Sequence, residues 1–298
     1  MHHLLMTAPM RRTGAALLIC FGGTLTLAGA AAALDLGTTE GSLTAMRKIQ
    51  CSMENGQPVT YWWHGRAYSR VPGEADRVLF AVEGMNIRQC GPLTDDANAP
   101  SFKQVSREIL LYKDPDTGEV LRSWVNPWTE KTVDVIHVAN DPVNARFAEK
   151  GRDGRPFLLP FSVLGDQWWL TSTVPLFYTN PLGGDFQKYV GGTYHATEMF
   201  NFFGDVAALE DEDVDSVPAR VGWVRMSKWL PWMEMGDRAG LIYFHTAGRK
   251  LDSFDDLSET MKAEIAANYP DYAEPPPLDD ERRNETSWSY FKKVLSER

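Results

Sequence analysis

Two segments of the chain combine charged and aromatic side chains at the two-residue spacing of a β-strand. In residues 219–229 (ARVGWVRMSKW), alternation places Trp223 and Arg225 on the same strand face. An arginine next to a tryptophan on such a face either forms a structural ion pair, with Glu83 or Glu198, or anchors an anionic or phenolic ligand. The pattern leaves both roles open for Arg225.

The second segment is residues 193–203 (TYHATEMFNFF). Its aromatic-rich composition and the glycines before it favour a strand. Tyr194, Glu198 and Phe200 then share one face, while His195 and Asn201 lie on the other. A carboxyl group among aromatic rings is suited to proton transfer, so Glu198 is a candidate catalytic group. His195 and Glu198 could bind one metal ion only on a helix, so no metal site is predicted.

Two histidines lie in apolar runs of predicted strands. His245 shares a face with Tyr243, and His137 shares a face with valines. A histidine in such a place is either a hydrogen-bonded core residue or a general acid or base. His245 is the preferred catalytic candidate because a tyrosine is beside it and Arg225 is on the preceding strand.

The elements that would hold these residues are mainly β-strands. Short turns such as Asp114–Gly118 and Gly165-Asp166 separate about ten predicted strands, and His64-Gly65 is predicted to be another hairpin turn. We expect a meander that forms a single antiparallel β-barrel or a strongly curved sheet, with short helices at both ends. The N-terminal helix is predicted at Ser42–Met53, and a helical extension at 252–298.

The first 33 residues have the pattern of a secretory signal peptide: a basic pair, an apolar run and a small-residue end. A membrane anchor is the alternative, but three glycines interrupt the run. The pair Arg11-Arg12 is a weak match to twin-arginine export. We therefore expect a periplasmic or secreted protein in which residues 34–298 form a single domain.

Export bears on the cysteines, because Cys20 would leave with the signal peptide. Cys51 and Cys90 would remain, either as one disulfide or as two buried thiols.

Charge excludes some partners. Without Arg11 and Arg12 the 30 basic residues become 28 against 40 acidic ones, so the net charge is near −12. Nucleic acid and, after signal removal, an anionic membrane are poor partners for such a chain. The ten tryptophans instead favour a small apolar ligand.

Several spaced motifs resemble one known family. The motifs are VEGMN at 82–86, NPWT at 126–129, HVANDPV at 137–143 and the pattern W-x-R-x-S-x-W-x-P-W-x-x-M-G at 223–236. Together they resemble the bacterial and fungal family designated domain of unknown function 1838, over roughly Ser42 to Leu251. The resemblance implies one secreted or cytosolic domain, with no established cofactor and no general activity.

The sequence thus predicts a cofactor-independent lyase or isomerase that acts on an aromatic or phenolic small molecule in a tryptophan-rich cavity. Nucleophile motifs and phosphate-binding loops are missing from the sequence. The alternatives are an exported protein that binds such a molecule without converting it and, with less support, a metal-dependent hydrolase. The predicted catalytic residues are His245, Glu198, Arg225 and Tyr194. The predicted ligand-binding residues are Trp223, Trp229, Trp232, Phe200, Tyr243, His137 and Asn201.

Overall fold

The long strands of the protein pair with one another into a single curved sheet. The computed structural model describes residues 34–94, 99–178, 182, 184–189 and 193–298. Within them are twelve strands: β1 (Val59–Arg70), β2 (Arg77–Pro92), β3 (Phe102–Lys113), β4 (Ser123–Val125), β5 (Thr132–Asp134), β6 (Val138–Asn140), β7 (Ala145–Phe147), β8 (Phe161–Leu164), β9 (Gln167–Tyr178), β10 (Tyr194–Asp205), β11 (Arg220–Ser227) and β12 (Leu241–Lys250).

Ten of these described strands form the main sheet, in the order β6-β3-β2-β1-β12-β11-β10-β9-β8, with β7 also paired to β3. β1 to β3 and β8 to β12 are two antiparallel meanders, and the pairing of β1 with β12 joins them. The prediction of a mainly antiparallel β fold is confirmed. The sheet takes the curved form and does not close into a barrel, because β6 and β8 are at opposite ends of its order.

The predicted hairpin at His64-Gly65 is wrong, since β1 runs through both residues without a break. Gly65 pairs with Thr246 of β12. A Cβ atom at position 65 would lie 2.2 Å from the carbonyl oxygen of His245. The glycine therefore allows two strands to approach closely, and it does not make a turn.

The two faces of the sheet have different neighbours. The outer face of β2 and β3 is covered by the helix α3 (Glu259–Asn268), which packs Met261 and Ile265 against Met85 and Ile87. Opposite it is the inner face, which we define as the face that carries Tyr61, Arg88, Glu108, Glu198 and Arg225. With Met85 and Ile87 covered by this helix, the alternating residues Asn86 and Arg88 point to the inner face.

Three further helices lie in the described chain: α1 (Thr39–Gln50), α2 (Val206–Glu210) and α4 (Ser287–Ser296). Thr38 caps α1, because its side chain accepts a hydrogen bond from the backbone N–H of Gly41. α4 buries Trp288 and Phe291 in the core on the inner side of the sheet. The two terminal helices thus lie close to the predicted positions.

A disulfide joins Cys51, directly after α1, to Cys90 of β2, with 5.9 Å between their Cα atoms. Of the two alternatives left open by the sequence, the structure has the disulfide. The predicted signal peptide lies outside the described residues. None of the described helices has the length and apolar character that a membrane-spanning helix needs.

Candidate functional site: an aromatic cavity with buried charges

The inner face of the sheet encloses a cavity of about 540 Å³. Its wall includes residues of β3 and also of β9 and β10, which are far apart in the order of the sheet. These strands can face the same space only because the sheet curls around it. Gln50 of α1 and Trp288 of α4 complete the wall. A cavity of this size can hold a small organic molecule.

Most of the wall is aromatic or aliphatic. The rings of Tyr61, Trp63, Tyr112, Phe200, Trp223 and Phe244 all contribute to it. Trp63 and Trp223 meet edge to face, with 6.4 Å between their ring centroids. Such a surface favours a flat apolar ligand, because ring stacking and burial both stabilise the bound molecule.

Charged side chains form a first cluster on β10 and β11. Arg225 donates from Nη1 to Oε1 of Glu198 and from Nη2 to the Tyr194 hydroxyl, the latter over 2.8 Å. Glu198 and Arg225 are directly opposite each other in the strand pairing, which brings their side chains together. Burial alone would lower the pKa of Arg225, but the Tyr194 hydroxyl and the Glu198 carboxylate raise it above its ordinary value.

A second cluster surrounds Arg88 of β2. The Nε of Arg88 donates to Oδ1 of Asn86 over 2.7 Å, and Nη1 donates to Oε1 of Gln50. The guanidinium lies over the Tyr61 ring, 4.7 Å from its centroid. Burial lowers the pKa of Arg88 to about 10, although Tyr61 and Glu108 act in the opposite direction. Among the described residues, no carboxylate lies within ion-pair distance of this arginine.

Glu108 of β3 interacts electrostatically with both clusters. Burial raises its pKa, Glu198 adds to this effect, and the hydrogen bond from Asn140 and the charges of Arg225 and Arg88 oppose it. The Nδ2 of Asn140 donates to Oε1 of Glu108 over 2.6 Å. Part of the Glu108 surface is free of protein contact, but that surface faces the cavity. A carboxyl group with a raised pKa is a proton donor at a higher pH than usual.

Three polar atoms at the cavity wall have no hydrogen-bond partner among the described residues. They are Oε1 of Gln104 and the indole Nε1 atoms of Trp63 and Trp288. Buried polar atoms are nearly always paired, so each of these requires an explanation. Polar groups of a bound molecule would provide partners for them.

The structure brings together five of the eleven residues predicted for the site. Tyr194, Glu198, Phe200, Trp223 and Arg225 all line the cavity. The inner-face alternation predicted for β10 is also present, since Tyr194 is buried while His195 and Asn201 are exposed.

The structure places three predicted residues outside the cavity, on the outer face of the sheet. The side chain of His245 is exposed, and so is that of Asn201. Tyr243 stacks on Tyr68 with 4.9 Å between ring centroids, and its hydroxyl donates to Asp76. The expectation that His245 works beside Arg225 is therefore not met. In the β11–β12 pairing Arg225 is opposite Phe244, and His245 points the other way.

The last three predicted residues are in the core behind the cavity wall. Trp232 packs against the Tyr112 ring with 5.2 Å between centroids, and the indole of Trp229 donates to the carbonyl of Arg238. His137 is buried and accepts a hydrogen bond at Nδ1 from the backbone N–H of Tyr112. These contacts are typical of structural residues.

Several cavity residues were missed by the sequence analysis, above all Arg88 and Glu108. The signal was present, because Asn86 and Arg88 alternate with the apolar Met85 and Ile87. In a strand with one face in water, that alternation places the polar residues outside. Here the polar residues line the cavity, because α3 covers the apolar ones.

Within the described part of the chain, no three His, Cys, Asp or Glu side chains are grouped as a metal site would require. His195 and Glu198 do not share a metal ion, because the strand β10 directs His195 to the outer face and Glu198 to the inner face.

The fold and the site define the molecule as a curved antiparallel sheet around a ligand-sized cavity with buried charges. The chain belongs to the family described as protein of unknown function (DUF1838), whose model matches residues 56–295. No curated protein matches the chain.

Proposed function

We propose that the protein is a cofactor-independent lyase or isomerase that acts on an aromatic small molecule bound in the cavity. The observation that carries the proposal is the location of two carboxyl groups, Glu108 and Glu198, in the wall of one aromatic cavity. Two carboxyl groups in different environments are the usual equipment for paired acid and base catalysis.

The environments of the two carboxyl groups suggest their roles. Glu198 forms an ion pair with Arg225 and faces the same cavity, so it is the candidate base. Burial raises the pKa of Glu108, so this group is the candidate acid. Tyr194 holds Arg225 from the other side and is a second candidate donor.

The reaction needs no further reagent. The base removes a proton from a substrate carbon, and the electrons of the C–H bond form a new double bond. In a lyase, a leaving group departs with its bonding electrons and takes a proton from the acid. In an isomerase, the acid returns a proton to a different carbon. An aromatic ring next to the reacting carbon would delocalise the developing negative charge, and Arg225 would stabilise it.

Export to the periplasm or beyond remains part of the proposal. The signal-peptide pattern of the first 33 residues supports it. The Cys51–Cys90 disulfide also supports it, because structural disulfides persist in oxidising compartments.

A turnover screen against aromatic substrates with a removable proton tests the proposal. Glu108→Gln and Glu198→Gln should each reduce turnover about 100-fold or more, the usual contribution of a general acid or base. His245→Ala is the control, since this residue is exposed on the outer face. Circular dichroism should show that all three variants fold.

If both glutamate variants kept full turnover, or if His245→Ala abolished it, the assignment of the site to the cavity would be wrong. Native mass spectrometry of the protein from its own host should detect the bound molecule. A ligand that binds in the cavity and is never converted would favour the alternative, a non-catalytic binding protein. The paired state of Arg225 and Glu198 is the observation that keeps this alternative open.

A further inference from the structure

We infer that the ligand of the cavity is an organic acid whose carboxylate binds Arg88. The inference rests on the proposed function only in taking the cavity as the ligand site. It assigns the anion-binding role to Arg88 and not to Arg225, for which the sequence leaves that role open.

Arg88 has hydrogen-bonding capacity that the protein does not use. A guanidinium group has five N–H donors. One on Nε and one on Nη1 are directed to the amide oxygens of Asn86 and Gln50. No partner of Nη2 is present among the described residues, and Arg88 lines the cavity. A carboxylate in the cavity would complete this arrangement, because its two oxygens match the spacing of the guanidinium donors.

The charges near Arg88 are also unbalanced, because burial raises the pKa of Glu108, the carboxyl group that acts on Arg88. Lys250 lies 5.8 Å from the Tyr61 ring centroid, and Arg88 lies 4.7 Å from it. Lys250 donates to the carbonyl oxygens of Lys48 and Cys51 and to the Ser216 hydroxyl, all of them neutral acceptors. Burial and the charge of Arg88 lower the pKa of Lys250, and the hydrogen-bond partners of both basic side chains are neutral. A buried charge is usually compensated by an opposite one, and an anionic ligand would supply it.

Arg225 is in a different situation. Its two Nη atoms already contact the Glu198 carboxylate and the Tyr194 hydroxyl. A ligand carboxylate near it would have to displace Glu198 or lie close to it, and two carboxylates repel each other. The neutral amides around Arg88 impose no such repulsion. The side-chain amide of Gln104, whose Oε1 is unpaired among the described residues, is also in this wall and can adjust to a ligand.

The disulfide holds this end of the cavity together. Cys51 directly follows Gln50, and Cys90 is two residues beyond Arg88 on the same strand face. The link between α1 and β2 therefore fixes the distance between the Gln50 amide and the Arg88 guanidinium.

The test compares two probes of the same shape, 2-naphthoate and its neutral amide, 2-naphthamide, by tryptophan fluorescence and calorimetry on the full mature chain. The wild-type protein should bind the carboxylate about 10- to 100-fold more tightly than the amide, the factor expected for a charged hydrogen bond. Arg88→Met should remove this preference and leave the amide affinity unchanged. Arg88→Lys should recover part of the preference, because lysine keeps the positive charge but lacks the paired N–H donors of the guanidinium.

Arg66→Met is the matched control, because Arg66 is an exposed arginine on the outer face of the neighbouring strand β1. It should bind both probes as the wild type does. The comparison of probes on the wild-type protein does not depend on the folding of any variant.

Equal affinity of the two probes, binding of neither probe, or an equal loss for both in Arg88→Met would overturn the inference. The proposed reaction is tested separately. If Arg88 controls naphthoate binding and no substrate is converted, the inference stands and the catalytic proposal fails. If Glu108 and Glu198 control turnover and Arg88 does not affect naphthoate binding, the reverse holds.

Discussion

Replacement of Gly84 by alanine should distort the cavity, although Gly84 is not one of the proposed catalytic or ligand-binding residues. Gly84 of β2 is opposite Trp63 of β1, and the indole lies directly over it. A Cβ atom at position 84 would be 2.3 Å from Cε2 and 2.5 Å from Cζ2 and Nε1 of Trp63. Real Cβ contacts are longer than 3.0 Å, so the ring must move away from the sheet and into the cavity.

Two opposing effects set the size of the change in stability. Overpacking in a filled region costs about 1–3 kcal/mol. Replacement of glycine by alanine in a strand or helix interior recovers about 0.5–1 kcal/mol of that cost. Gly84→Ala should therefore lower the free energy of unfolding by about 1–2 kcal/mol. Because Trp63 lines the cavity, the affinity for 2-naphthoate should fall as well.

Gly222→Ala is the matched control. Gly222 is also in a strand interior, but the nearest atom to its added Cβ would be the Asn201 Cβ at 3.9 Å, an ordinary contact. This variant should be as stable as the wild type or slightly more stable. Urea unfolding measures both variants, with the midpoint compared at constant slope. Equal stability and equal naphthoate affinity of Gly84→Ala and Gly222→Ala would refute the position of the Trp63 ring.

Three further predictions concern stability, each measured by urea unfolding. Reduction of the Cys51–Cys90 disulfide, with a sequence separation of 39, should cost about 4 kcal/mol by the loop-closure relation, and equal stability with and without reductant would contradict this. Glu198→Gln should cost about 3 kcal/mol because it leaves Arg225 without its partner, and adding Arg225→Met should recover part of that loss; no recovery would argue against the ion pair. Burial lowers the pKa of His137 to about 4, below the ordinary 6.5, so the unfolded chain takes up a proton first as the pH falls. Stability should therefore decline by about 3 kcal/mol between pH 6.5 and 4, and His137→Gln should remove that part of the decline, which an unchanged pH profile would disprove.

The period of a β-strand made part of the cavity predictable from the sequence. Tyr194, Glu198 and Phe200 were assigned to one face by position alone, and all three line the cavity. The same reasoning placed Trp223 and Arg225 together. Strand periodicity is a local property of the backbone, so it needs no knowledge of the tertiary fold.

Periodicity does not show which of two faces is the inner one. Both faces of β12 carry large apolar residues, with Leu241 and Tyr243 on one and Ile242 and Phe244 on the other. The tyrosine beside His245 predicts that the face with His245 is the inner one. The structure has Phe244 inside, because the pairing with β11 puts it opposite Arg225. The outcome depends on how the whole sheet curves, which no single segment encodes.

Covering of one face of the sheet by a distant helix was a second cause of error. Met85 and Ile87 look like the core face of β2, and they do lie in a core, but that core is the one with Met261 and Ile265 of α3. Contacts between residues so far apart in sequence are not visible in a local pattern. Arg88 was therefore overlooked.

The energetic cost of this arrangement is itself an argument for function. A β-sheet protein can fill its interior with apolar side chains at no desolvation cost, as this one does around Phe80, Tyr112 and Trp232. On the same inner face it keeps Arg88 with neutral partners and Glu108 with a pKa raised by burial. Both groups would be more stable in water than in this cavity. Local choices that oppose stability are concentrated at functional sites, and these two residues face the same space as the Glu198–Arg225 pair.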